Sequence, residues 1–130
     1  MENREHCRYI ADLVEAYANG DMCICPECGA HANRKHYACD CGKVIETYEW
    51  EQASVWDYFA DLLDIDFVVD RNKEYKACRI LVAFGGPNIY IDTLSRNVEL
   101  YWWNERASYP LAHDAVAAVD DWAAEYYDLI

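Results

Sequence analysis

Along residues 2–18 the apolar positions Cys7, Ile10, Ala11, Val14 and Tyr17 recur at helical spacing, while Glu2, Arg4, Glu5, Arg8, Asp12 and Glu15 fall mostly elsewhere. This pattern predicts an amphipathic helix. Asn19-Gly20 is a fitting stop, because both residues tolerate left-handed backbone. No period holds from about Asp21 to Lys43, and Val44–Tyr48 then reads as a short strand. A second helix is predicted from Trp50 or Ser54 to Leu63, with Ser54 and Asp57 as a capping box and Trp56, Phe59 and Leu63 as its buried face. Beyond Ile65 the period becomes two. Asp66–Asp70 and Tyr75–Phe84 are predicted strands joined by the polar turn 71–74, with Cys78, Ile80, Val82 and Phe84 alternating onto one face. Ile89–Asp92 and Val98–Trp103 follow as two more strands, with 93–97 as their turn. A last helix begins near Leu111 and sets Ala112, Val116, Val119, Ala123 and Tyr126 on one face.

Four consecutive strands with short polar connections imply an antiparallel meander. The expected fold is α+β: a four-stranded antiparallel sheet flanked by helices, with an N-terminal zinc-ribbon-like module. The expected division is 1–48 for the first helix and the module, and 49–130 for an acidic α-β-β-β-β-α domain. Gly85-Gly86-Pro87-Asn88 is not a phosphate loop, since no Gly-Lys-Ser/Thr follows and the next element is a strand. A bend between strands explains it better.

The aperiodic stretch carries two cysteine knuckles, Cys25-Pro26-Glu27-Cys28-Gly29 and Cys39-Asp40-Cys41-Gly42. Each sets two sulfurs close together on a tight turn, and four thiolates on two facing turns make a closed tetrahedral zinc site. Such a site stabilises a segment too small to bury a core. Four sulfur ligands leave no open position for water, so the expected role is structural. The second knuckle is one residue shorter than usual, which leaves Cys23, His31 and His36 as substitute ligands, and iron as an alternative metal. Seven cysteines cannot all pair as disulfides. No signal peptide is read at the start and no apolar run reaches the roughly 20 residues of a membrane span. The protein is therefore expected to be soluble and intracellular.

Charge narrows the choice of partner. Residues 1–43 hold 5 basic against 7 acidic side chains, and residues 44–130 hold 6 against 17, for a formal net charge of −13. Phosphate binding depends on Lys and Arg, so this balance opposes nucleic acid and steers toward basic partners. Asp57, Asp61 and Asp64 fall at i, i+4 and i+7 of the second predicted helix, and Asp121, Glu125 and Asp128 repeat that spacing on the last. Like charges so placed weaken a helix. Carboxylates one helical turn apart, about 6 Å, roughly match successive phosphates, so these six acids are the candidate partner contacts. Glu99-Leu100-Tyr101-Trp102-Trp103 puts large rings on both faces of one strand, and a helix or the zinc module is expected to cover the face opposite the core. His6, His31, His36 and His113 are scattered and neighbour no nucleophile, so no catalytic residue is assigned.

The segments 56–59 (Trp56-Asp57-Tyr58-Phe59) and 62–65 (Leu62-Leu63-Asp64-Ile65), the run Ala83–Thr93, and 99–103 resemble a group of small acidic proteins carried by phages and mobile elements of Gram-positive bacteria. Some similar proteins, metal-containing ones among them, inhibit type II CRISPR-Cas effector nucleases. The resemblance spans roughly residues 50–130 and assigns no residue a role. It implies a non-enzymatic anti-CRISPR-like inhibitor in the cytoplasm of a bacterial host cell. Its acidic surface would bind the nuclease in place of DNA, without direct nucleic-acid binding. The alternative is a zinc-ribbon module that binds nucleic acid or another host protein directly, supported only by Arg34, Lys35 and Lys43.

Overall fold

The computed structural model describes residues 2–36, 38–45 and 50–130. Helix α1, Asn3–Ala18, buries Cys7, Ala11, Val14 and Tyr17, as its periodicity requires. It is followed by three short strands, β1 Met22–Ile24, β2 His31–Asn33 and β3 Glu51–Gln52, which form an antiparallel sheet in the order β2-β1-β3. Val44 makes a single antiparallel bridge with Ala38, and positions 46–48 of the strand predicted there lie outside the described residues.

The second predicted helix is shorter than its sequence pattern implies. Helix α2 spans only Val55–Tyr58, a 3-10 turn continues through Phe59–Asp61, and a strand, β4 Asp64–Val69, follows. The capping box is present: Asp57 Oδ2 accepts from the Ser54 backbone N–H at 2.7 Å and lies 3.2 Å from the Ser54 hydroxyl. Burial explains the early stop. Val55 and Phe59 fill the core, Leu62 is half-buried and Leu63 faces solvent, so nothing rewards a further helical turn.

The main sheet has five strands, a correction to the four predicted. β4 Asp64–Val69, β5 Tyr75–Ala83, β6 Asn88–Asp92, β7 Asn97–Trp102 and β8 Glu105–Pro110 lie in the order β4-β5-β6-β7-β8, all antiparallel. β8 carries Arg106, Ser108 and Pro110 outward and only Ala107 and Tyr109 inward, a weak apolar alternation that hides a strand. A two-residue turn at Trp103-Asn104 joins it to β7. Gly85, at φ 94, makes the bend after β5, next to a register shift between Leu81 and Ala83.

One face of this sheet is the core. Cys78, Ile80, Ile89, Ile91, Val98 and Leu100 pack against α1, Phe59 and helix α3, His113–Leu129, which contributes Ala115, Val119, Trp122 and Ala123. Among the described residues Thr93 is the buried polar one; its Oγ1 accepts from the Cys78 amide at 2.9 Å. The opposite face is half-open. There the Arg79 guanidinium lies 3.8 Å from the Tyr90 ring centroid and within reach of Asp92 and Glu99, at 3.8 and 3.6 Å. The cover expected over the Tyr101–Trp103 rings is missing at Trp102 and Trp103, which are 38% and 87% exposed.

Contacts run across the point between residues 48 and 49. Helix α1 packs on β7, β8 and α3, while β3 pairs with β1. Ile80→Ala, at the centre of the core, is expected to lower unfolding free energy by about 2–5 kcal/mol. Val68→Ala, on the open face of the edge strand, should change it by less than about 1 kcal/mol. Denaturant titration of the two variants checks the contrast.

Candidate metal centre

Strand β1 delivers the chain directly into the first knuckle. The Cys25 amide donates to Ala30 O and the Gly29 amide to Cys25 O, both at 2.9 Å. The second knuckle closes in the same way, with Cys39 N–H to Lys43 O at 2.9 Å and Gly42 N–H to Cys39 O at 2.8 Å. Gly29 and Gly42 sit at φ 76 and 96, where a Cβ would strain both turns.

The two turns face each other. The Sγ atoms of Cys25, Cys28, Cys39 and Cys41 all lie within 4.8 Å of one another, with Cys25–Cys41 at 3.7 Å and Cys28–Cys39 at 3.5 Å. A tetrahedron of thiolates with metal–sulfur bonds of about 2.3 Å has edges of about 3.8 Å, so the quartet has the dimensions to hold one metal ion. Disulfide sulfurs are about 2.05 Å apart, far closer than these. Cys25 and Cys39 are buried, Cys28 and Cys41 exposed. Burial opposes ionisation of Cys25, yet amides of Cys28 and Glu27 outweigh it and lower the thiol to about 7. The Ala30 amide favours a thiolate at Cys28, but the hydrogen bond with Cys39 and burial hold its proton, up to about 12. A cation entering the quartet displaces such protons.

The substitute ligands are placed elsewhere. Cys23 lies in β1 with its thiol donating to Ala32 O at 3.3 Å, and burial pushes that thiol up. His31 Nδ1 shares a 2.6 Å hydrogen bond with the Tyr17 hydroxyl, tying β2 to α1. His36 is exposed on the wall of a cleft of about 490 Å³ between α1 and the knuckles, which Tyr9, Asp12, Tyr17 and Asp40 also line. Sequence spacing gave no sign of this cleft, because α1 and the knuckles meet only in the folded chain.

Cations near the knuckles already face protein acceptors. Arg34 donates to Trp50 O at 2.8 Å, Lys35 pairs with Asp21 at 3.3 Å, and Lys43 with Glu27 at 3.7 Å.

The six candidate acids divide. Asp57 belongs to the capping box, Asp61 to the 3-10 turn, and Asp64 opens β4 on the outer face of the sheet. They do not form the helical stripe expected of them, because the helix ends at Tyr58. Asp121, Glu125 and Asp128 do share one exposed stripe of continuous α3, with Asp114 in line. Among the described residues no helix is long and apolar enough to cross a membrane.

Comparison with protein-family models, with curated proteins and with solved structures finds nothing that matches this chain. Replacing Cys25, Cys28, Cys39 or Cys41 by serine is expected to abolish uptake of one metal ion per chain, whereas Cys23→Ala leaves it intact. Metal content after dialysis checks both.

Proposed function

We propose that the protein is a non-enzymatic, anti-CRISPR-like inhibitor that docks through its acidic surface on a type II CRISPR-Cas nuclease and blocks loading of target DNA. The observation that carries this reading is the exposed stripe Asp114, Asp121, Glu125 and Asp128 on α3, a helix with no Lys or Arg. The C-terminal part of the stripe works against its own helix. Asp121 and Glu125 repel at i, i+4. Asp128 stands in the last turn, where the helix dipole favours cations. Four carboxylates in line, on a chain of net charge −13, suit the positively charged channel in which such nucleases hold guide and target. The choice of nuclease comes from the family resemblance, and the charge argument alone extends to other basic, nucleic-acid-handling proteins.

The metal in this reading is zinc, and its role is structural. Four sulfurs close the coordination sphere and leave no position for a reacting water. The described strands of the module are only two or three residues long, so chelation is expected to expose its amides. Hydrogen exchange should accelerate across residues 22–45 while β5–β7 stay protected; uniform protection after metal removal would contradict the structural role.

For the partner, Asp121→Lys, Glu125→Lys and Asp128→Lys combined are expected to abolish complex formation with a guide-loaded nuclease on a sizing column and restore target binding and cleavage. Asp57 is left out, because reversing it would break the α2 cap. Unchanged inhibition by the triple variant would remove the α3 stripe as the contact. Retention of DNA or RNA by the free protein in a mobility-shift assay would favour direct nucleic-acid binding instead.

A further inference from the structure

Trp103 is the residue that local structure accounts for least. It is the first of the two residues closing the β7–β8 hairpin, between the paired Trp102 and Glu105, and its φ is 56. Tight two-residue turns place positive φ at this position and favour Gly, Asn or Asp there. A bulky side chain in that conformation is an outlier. The indole is also 87% exposed, so it gains nothing from the core. An unfavourable residue held at a surface tip points to a contact made outside the chain.

The surroundings define what it contacts. The Trp102 ring stands 5.7 Å from that of Trp103 at 75°, and Phe84, 73% exposed, follows β5 at the same end of the sheet. Gly85 and Gly86 leave the adjoining loop open, with nothing within 4 Å of where a Cβ would stand. Glu105, paired with Trp102 across the hairpin, brings a carboxylate from β8 that accepts from Asn3 Nδ2 at 3.0 Å, with Arg106 next to it in β8 as the nearby cation. The same sheet already displays the matching chemistry. Arg79 lies over Tyr90 and 5.8 Å from the Tyr101 centroid, with Asp92 and Glu99 beside it. Rings flanked by carboxylates hold a guanidinium by cation–π attraction and charge-assisted hydrogen bonding together.

We propose that the tip formed by Phe84, Trp102 and Trp103, with Glu105, docks an arginine-bearing segment of a basic partner protein. Charge complementarity selects this occupant: the net charge of −13 attracts a basic chain and repels nucleic acid. The site is separate from the α3 stripe, which lies on the helical side of the sheet. It shares with the reading above only the expectation of a basic partner.

The test is calorimetric titration of the zinc-loaded protein with a nona-arginine peptide, beside nona-lysine and a single-stranded oligonucleotide. Binding is expected for nona-arginine, more weakly for nona-lysine, and not for the oligonucleotide. Trp103→Gly keeps the net charge and should weaken the arginine peptide by about tenfold or more. The same variant should raise the unfolding midpoint by roughly 3–6 °C through relief of the turn. Trp103→Tyr should retain most of the binding. A purely structural Trp103 would instead lower the midpoint when replaced. The proposal is overturned by a change in affinity below about twofold, by oligonucleotide binding that depends on Trp103, or by self-association on a sizing column that Trp103→Gly removes. No nuclease enters this measurement, so its failure and that of the α3 reading are separable.

Discussion

Burial on a single face of the five-stranded sheet governs the arrangement of everything else. Ile80, Ile91, Val98 and Leu100 are fully enclosed, and both long helices are drawn to their side. Burial of apolar area is non-directional, so it selects the face but leaves the far surface to other forces. That far surface is consequently free to carry Arg79 between tyrosines and carboxylates, an arrangement held by electrostatics and stacking. The acid-rich outer stripe of α3 exists for the same reason: Val119, Trp122 and Ala123 satisfy the helix inward, and the outward positions are unconstrained by packing.

The cysteine module follows a different rule. Its small cluster comprises Cys23, Cys25, Cys39 and Trp50, so two members of the metal-competent quartet are also half of its core. Removing a sulfur therefore removes packing as well as a ligand. A second cluster of Ala16, Tyr17, Met22 and Ala53 joins the module to the end of α1. The stack of Tyr17 on Tyr58, 4.8 Å between centroids, extends that junction to α2. The knuckles are thus anchored to the main body on one side and bring their four thiols face to face on the other.

Much of this was legible in the sequence, where strong periodicity coincided with burial. α1 and the strands through Ile80, Ile91 and Val98 follow their apolar spacing, but Phe84, expected on the Cys78 and Ile80 face, lies past the end of β5 and is exposed, and α3 buries Ala115 and Trp122 beside the expected Val119 and Ala123. The quartet was legible because each knuckle is short: two cysteines within four residues cannot be far apart in any fold. Their convergence as a group of four required the structure, as did the exclusion of Cys23, which lies two positions before the first knuckle but hydrogen-bonds to Ala32 across β1–β2. β8 was missed because Arg106, Ser108 and Pro110 leave it with too little apolar signal. The stripe Asp57, Asp61 and Asp64 was over-read because helical spacing was assumed past Tyr58, where tertiary packing ends the helix. Trp103 drew notice only as one of several rings; its exposure and backbone angle belong to the hairpin.

Strand β4 forms an outer edge of the main sheet. Open edges tend to recruit further strands, and sheets that persist in solution blunt them with charge and irregularity. β4 carries both devices. Asp64 and Asp66 place carboxylates on alternate positions, and the register breaks between Val68 and Val69. A copy arriving in extended conformation would meet like charge first and a mismatched ladder second. Val68 and Val69 are thus partly exposed on an edge whose charge and broken ladder disfavour addition of another strand.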